Sequence, residues 1–200
     1  MRAERRTETA DDRALLRAVR ARQASAVARL YDRYGSLLLA LAIRILRDRG
    51  DAEEVVGDVF WDLWKRPERF DEVRGTLSTF LVTVTRSRAI DRVRTETRKR
   101  RLEAGSTDDP EDSSSRTAGE GSPFDDAVLS QRRARVRTAL DTLTREQRTP
   151  IEMAFYDGLS HSEIARELSE PLGTVKSRIR YGLIRLRESL RTEYGEEDRR

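Results

Sequence analysis

Residues 158–190 read GLSHSEIARELSEPLGTVKSRIRYGLIRLRESL. Two helical patterns lie there, one short and one long, separated by the break Ser169-Glu170-Pro171. Ser160 stands where a helix cap is needed, and Glu163 follows three residues later. At that spacing the two side chains reciprocally satisfy the orphan amides of a helix start. Ile164, Ala165 and Leu168 give the short helix an apolar face. In the long one Val175, Ile179, Leu183, Leu186 and Leu190 recur at steps of three and four, an amphipathic stripe. Lys176, Arg178, Arg180, Arg185 and Arg187 stand between them, and Ala165 and Gly173 are small enough for a close crossing. Cap, turn, stripe and the cluster Thr174-Val175-Lys176-Ser177-Arg178 agree on a helix-turn-helix, whose second helix sets its first side chains in the DNA major groove. A plain helical hairpin with a solvated basic face shares the periodicity; agreement at every level favours DNA binding.

The rest of the chain fits that reading. It has 200 residues, of which 38% are charged and 36% hydrophobic, a supply suited to small helical domains with wide wet surfaces. Lys and Arg number 40 against 36 Asp and Glu, so placement of charge matters more than its sum of +4. There is no cysteine, which excludes disulfides and thiolate metal sites. Residues 1–6 are charged and lead into no apolar core, so no secretion signal is expected. The longest apolar run, residues 37–43, is far shorter than the ~20 residues of a membrane helix. A soluble, cytoplasmic protein is expected, with no membrane insertion of its own.

Upstream, Leu15, Leu16 and Val19 suggest a short amphipathic helix starting near Thr9 or Asp11 and ordered against the next segment. Val27, Leu30, Tyr31, Tyr34, Leu38 and Leu41 pattern a second helix through Gly35, closed by residues 47–50. Asp51 is the expected cap of a third, with Val55, Val56, Val59, Phe60, Leu63 and Trp64 inward and Glu53, Glu54, Asp58 and Asp62 outward. Residues 67–79 read as a loop. Phe80, Leu81, Val84, Ile90 and Val93 mark a fourth helix. From Arg86 to Arg101 there are eight basic residues (86, 88, 92, 94, 98, 99, 100 and 101) against Asp91 and Glu96, a local excess of six.

Residues 103–126 are acidic and rich in Ser, Gly and Pro, a linker that buries too little to order itself. Beyond it Val128, Leu129, Val136, Leu140 and Leu143 pattern a helix. Thr144 caps the next, with Gln147 in the capping-box place, and Pro150 predicts a kink or restart. The expected fold class is all-α: two small helical domains joined by a flexible acidic linker, the second with a helix-turn-helix.

Three stretches together resemble the sigma-70 family of bacterial transcription initiation factors, in the two-domain form called extracytoplasmic-function sigma factors. DRGDAEEVVGDVFWDLWKRPERF resembles the family's region 2 core, RAIDRVR its following DNA-reading helix, and EIARELSEPLGTVKSRIRYGLIRLRESL its region 4. The resemblance divides the chain into an extension (1–23), region 2 (24–102), the linker (103–126) and region 4 (127–195). It implies a promoter-specificity subunit that binds core RNA polymerase and promoter DNA and is held by an anti-sigma factor. Contacts to the −35 element fall on Thr174, Lys176, Ser177, Arg178, Arg180 and Tyr181. Contacts to the −10 element fall on Arg69, Arg74, Thr76, Ser78, Phe80, Ser87, Arg88, Asp91, Arg92 and Arg94. Polymerase docking falls on Asp51, Glu53, Glu54, Asp58, Phe60 and Trp64. Where the family often has Trp, Asn and Gly, this chain has Phe80, Ser87 and Ser169.

Other chemistry finds little support. His161 is the only histidine and has no Cys or second His to form a ligand set. The acidic third helix sets carboxylates side by side without the loop carbonyls of a calcium site. No Gly-rich phosphate loop, nucleophile–base pair or metal-ligand spacing occurs, so neither an enzyme nor a cofactor or metal is expected. The competing reading is a stand-alone helix-turn-helix transcriptional regulator, which would put a sensing domain with parallel strands where this chain has a helical, basic half.

Overall fold

The computed structural model describes residues 2–104 and 137–195. Its contacts divide the chain into two compact units, Met1–Gly121 and Ser122–Arg200. Among the described residues every regular element is helical. Most of the expected linker, together with Val128, Leu129 and Val136, lies outside the described residues.

The first unit contains α1 (Arg2–Arg20), α2 (Ala24–Leu46), α3 (Arg49–Lys65), a 3-10 turn (Pro67–Arg69) and α4 (Leu77–Ala104). Its core draws on all four helices: Leu16 and Val19 from α1, Leu30 and Leu38 from α2, Val56 and Val59 from α3, Leu77 and Leu81 from α4. Residues 30, 34, 38 and 42 of α2 recur every fourth position and are buried. Tyr31, expected inside, is half exposed, because the stripe runs one residue to its side. α1 starts well before Thr9 and is bound to α2 by a polar contact. The buried Asp12 accepts from the Tyr34 hydroxyl at 2.6 Å and from Arg33 Nη1 at 2.8 Å. A charge at that depth is tolerated because it is paired and hydrogen-bonded. α3 is capped by Asp48, whose side chain accepts from the Asp51 amide at 2.8 Å, so Asp51 lies inside the first turn and is not the cap. The expected loop 67–79 is shorter than its sequence suggested, since the 3-10 turn and the start of α4 take up its two ends.

In the second unit α5 is the helical segment 137–141. It is followed by α6 (Arg145–Glu152), a π turn (Met153–Asp157), α7 (His161–Glu167) and α8 (Leu172–Gly195). The Thr144 amide donates to Gln147 Oε1 at 3.3 Å, the expected capping arrangement. Pro150 neither breaks nor restarts the helix. α6 runs through it to Glu152, and the backbone then widens into the π turn, which Gly158 closes in left-handed backbone at φ 65°. Pro150 is the sixth residue of α6, past the first turn, and has no amide to donate to the residue four before it, yet the helix continues.

Among the described residues one core cluster comprises Ile164, Val175 and Ile179, flanked by half-buried Ile151, Met153, Leu159 and Leu168, and Ala139, Leu143 and Pro150 are buried as well. The close crossing falls at Gly182 and not at Gly173. A Cβ on Gly182 would meet Ile151 Cδ1 at 2.6 Å and Gln147 Cβ at 3.3 Å, whereas one on Gly173 would meet nothing within 4 Å. The buried stripe of α8 accordingly passes through 175, 179 and 182, and Leu183 stands 52% exposed.

Candidate nucleic-acid interface

The helix-turn-helix is built largely by local hydrogen bonds. The Ser160 amide donates to Glu163 Oε2 at 2.7 Å, and the Glu163 amide donates to Ser160 Oγ at 3.3 Å, so the capping box opens α7. At its other end the Ser169 amide donates to the Arg166 carbonyl (3.1 Å) and the Glu170 amide to the Ala165 carbonyl (2.9 Å). These two bonds are the Schellman pattern, which places one residue in left-handed backbone. Ser169 takes that place at φ 52°, where glycine would be unstrained. The Pro171 carbonyl then accepts from Thr174 and Val175 and starts α8.

Val175 and Ile179 turn inward against Ile164, which fixes what α8 shows outside. Lys176, Arg180 and Tyr181 are exposed; Thr174, Ser177 and Arg178 are half-buried. Ser177 Oγ donates to the Thr174 carbonyl at 2.8 Å. The Arg178 guanidinium is held across the turn by both carboxylate oxygens of Glu170. The charges of α8 most open to solvent among the expected −35 residues are therefore Lys176 and Arg180.

In the first unit the basic face of α4 splits in two. Ser87, Asp91, Arg94 and Arg98, at steps of four, three and four, are exposed. Arg88 and Arg92 lie on the neighbouring face and meet carboxylates of α3. Arg92 Nη2 stands 2.6 Å from Asp51 Oδ1 and 2.7 Å from Glu54 Oε2, so expected DNA and polymerase residues are joined to each other. Arg88 Nη2 lies 3.0 Å from Asp62 Oδ2, and Arg69 Nη1 lies 2.7 Å from the same oxygen. Asp62, expected on the outer face of α3, is buried. Burial alone would raise its carboxyl; the hydrogen bond from Arg66 and the charges of Arg66, Arg69 and Arg88 outweigh it and hold the carboxyl below its ordinary range. The signal was present in the sequence, since Val55, Val59 and Asp62 follow each other at core-facing steps.

The loop side chains also have structural work. Thr76 Oγ1 accepts from the Thr79 amide at 3.2 Å and so caps α4. Phe80 packs edge-on against the buried Phe70, with ring centroids 5.5 Å apart. Arg74 is exposed and Ser78 half-buried.

On α3, Glu53 and Asp58 are exposed, and Glu53 pairs with Arg49 at 2.8 Å. Phe60 is buried, its ring 5.1 Å from that of Tyr31, and so is unavailable as an outward docking side chain. Trp64 is half-buried beneath the Arg22 guanidinium, 5.4 Å from its ring. The aromatic that faces out is Trp61, 56% exposed with Lys65 Nζ 4.7 Å over its ring, a residue the sequence reading passed over. Among the described residues no group of three or more His, Asp or Glu is arranged to hold a metal ion, and no helix is long and apolar enough to cross a membrane.

Fold and surfaces define a two-unit helical protein with a terminal helix-turn-helix and basic helix faces in both units. Comparison with known proteins specifies the class. The family model for sigma-70 region 2 matches residues 30–99, and that for sigma-70 region 4 matches residues 139–188. The ECF RNA polymerase sigma factor SigK of Mycolicibacterium vanbaalenii is 39% identical over 186 residues, covering 91% of this chain and 90% of that protein. The protein of the same name from Mycobacterium tuberculosis is 36% identical over 181 residues, covering 88% and 92%. Among solved structures, Rhodobacter sphaeroides SigE in complex with the anti-sigma ChrR is 32% identical, with a TM-score of 0.43 over 89% of this chain and 97% of that one. The chain belongs to the sigma-70 family, as an RNA polymerase sigma factor of the extracytoplasmic-function kind.

Proposed function

We propose that this protein is a promoter-specificity subunit that joins core RNA polymerase, recognises −10 and −35 elements and starts transcription in the cytoplasm, without catalysing a reaction of its own. The observation that carries the reading is the order of the two family matches, region 2 before region 4, on units that each expose a cationic helix face. The domain roles follow: residues 24–102 for the −10 element and polymerase, residues 127–195 for the −35 element. On α8, Lys176 and Arg180 are the leading DNA contacts, with Arg178 entering once Glu170 releases it or while it stays paired. On α4, Ser87, Asp91 and Arg94 form the outward −10 face. Polymerase docking is assigned to the α3 surface of Glu53, Glu54 and Asp58, with Trp61 as its aromatic anchor in place of Phe60.

An anti-sigma protein is the proposed inhibitor. Family membership supports it, as does the exposed apolar run Tyr181, Leu183 and Ile184 on α8, a patch of the kind that marks interaction surfaces. The helical first unit with a region 2 match argues against a stand-alone regulator.

The test is transcription in vitro. Added to core polymerase, the protein converts non-specific synthesis into initiation at defined starts, and alone it binds duplex promoter weakly. Tight, specific duplex binding without polymerase, and no effect on start sites with it, would overturn the assignment.

A further inference from the structure

The carboxylate of Asp62 is buried at the junction of three segments, the end of α3, the 3-10 turn and α4. Arg66 Nε donates to its Oδ1 at 2.8 Å and Arg66 Nη2 closes on the same oxygen. Arg69 Nη1 donates to Oδ2 at 2.7 Å, and Arg88 Nη2 lies 3.0 Å from that oxygen. Three guanidiniums thus converge on one carboxylate, and no other carboxylate among the described residues pairs with any of the three. The side chains of Arg66 and Arg69 are 56% and 53% exposed, and that of Arg88 is 29% exposed, so the heads reach solvent while Asp62 does not.

A guanidinium has five N–H donors in a rigid fork, and Asp62 uses only one or two on each. The unused donors, with a formal excess of two positive charges, form a pre-ordered anion surface. Arg69 comes from the turn just ahead of the 70–76 loop and Arg88 from the α4 segment that also carries Ser87 and Asp91. The geometry points to Asp62 as a positioning residue for promoter DNA: it holds Arg66, Arg69 and Arg88 as a fan that grips a backbone phosphate of the −10 strand. This rests on the sigma-factor reading above and adds a residue, and a phosphate site, that the reading did not contain.

Two physical effects of removing the carboxylate oppose each other, which makes the idea testable. Asp62→Asn makes the surface more positive, and simple charge counting then expects tighter DNA binding with a steeper salt dependence. Losing the anchor frees three long side chains, each of which must be re-ordered on binding, and replaces acceptor capacity by an amide that also donates. The proposal requires the loosening to outweigh the charge gain, and raising the salt concentration weakens the charge gain further while leaving the loosening unchanged.

The experiment measures binding of holoenzyme, assembled from core polymerase and the full chain, to a single-stranded oligonucleotide carrying the −10 element, at a temperature where circular dichroism shows each variant folded. Asp62→Asn is expected to bind at least fivefold more weakly than the natural protein. Glu68→Gln, which removes a neighbouring exposed negative charge without touching the fan, is expected to bind equally or slightly more tightly. Equal or tighter binding by Asp62→Asn overturns the proposal, as does a lower melting temperature accompanied by undiminished affinity, the mark of a purely structural carboxylate. Should Asp62→Asn fail to fold, Arg69→Lys, at a half-exposed position, keeps the charge and loses the fork; a severalfold loss of affinity supports the fan and unchanged affinity overturns it. Failure of the natural holoenzyme to bind the oligonucleotide would instead sink the sigma-factor reading.

Discussion

The first unit has four long helices around one shared core, and its arginines reach across helices to find carboxylates. Arg92 spans from α4 to Asp51 and Glu54, Arg88 to Asp62, Arg33 from α2 to Asp12. Among the described residues of the second unit, α6 and α7 are short and α8 is long, one core cluster comprises three buried aliphatic side chains, and the hydrogen bonds that shape the turns join residues close in sequence. Its two capping boxes, the Schellman turn at Ser169 and the Arg178–Glu170 pair span three to eight residues each. The contrast shows two ways of holding a basic helix face still. A large core lets distant charges be tied to one another in the first unit, whereas the second leaves the work to caps, turns and one close helix approach.

The largest expected effect tests whether α1 belongs to that large core. Leu16 is fully buried, so Leu16→Ala should cost about 2–5 kcal/mol in chemical denaturation, confined to the first unit. A loss within experimental error would make α1 an accessory and break the comparison. Next comes the close approach in the second unit. Gly182→Val drives side-chain atoms into Ile151 and Gln147 and should cost roughly 1–3 kcal/mol there, leaving the first unit's transition in place.

Smaller effects belong to the local devices. Ser160→Ala removes a cap acceptor and should cost about 1 kcal/mol in thermal unfolding of the second unit. Ser169→Gly should stabilise it by roughly 0.5–1 kcal/mol, because left-handed backbone strains any residue with a Cβ. If the glycine variant melts lower, the turn is not where the strain lies.

The last difference shows as a pH dependence confined to acid. The folded Asp62 carboxyl lies below its unfolded value, so it binds a proton less readily in the folded chain. Its contribution is present above the ordinary carboxylate pKa of ~4 and is lost as pH falls through and below that value. An acid titration followed by circular dichroism should show a shallower loss of the first unit in Asp62→Asn than in the natural protein. Parallel curves would mean that the three arginines do not protect this carboxylate.

Much of the helix-turn-helix could be read directly, because a cap, its Glu partner and the turn lie within a few residues of each other. The acidic and basic helices were also legible as charge runs. What could not be read was the rotation of each helix about its own axis. Phe60 and Trp61 are neighbours in sequence, and which of them is core depends on where α2 and α4 lie beside α3. The same uncertainty turned Asp62 outward in the sequence reading, although its step from Val59 matches the buried stripe. At Leu183 the periodic pattern offered a plausible core residue, but Gly182 lets α6 come so close that the stripe passes one residue earlier.

The chain alone determined an all-helical protein with a terminal helix-turn-helix, a basic fourth helix and a family resemblance strong enough to imply its role. These follow from periodicity and capping, which act over one or two helical turns. Only the tertiary structure decided which charges are spent on each other, which aromatic faces outward, and that a buried carboxylate gathers three arginines. Those outcomes depend on contacts between segments far apart in sequence, where burial makes each unpaired charge costly and so forces the pairing.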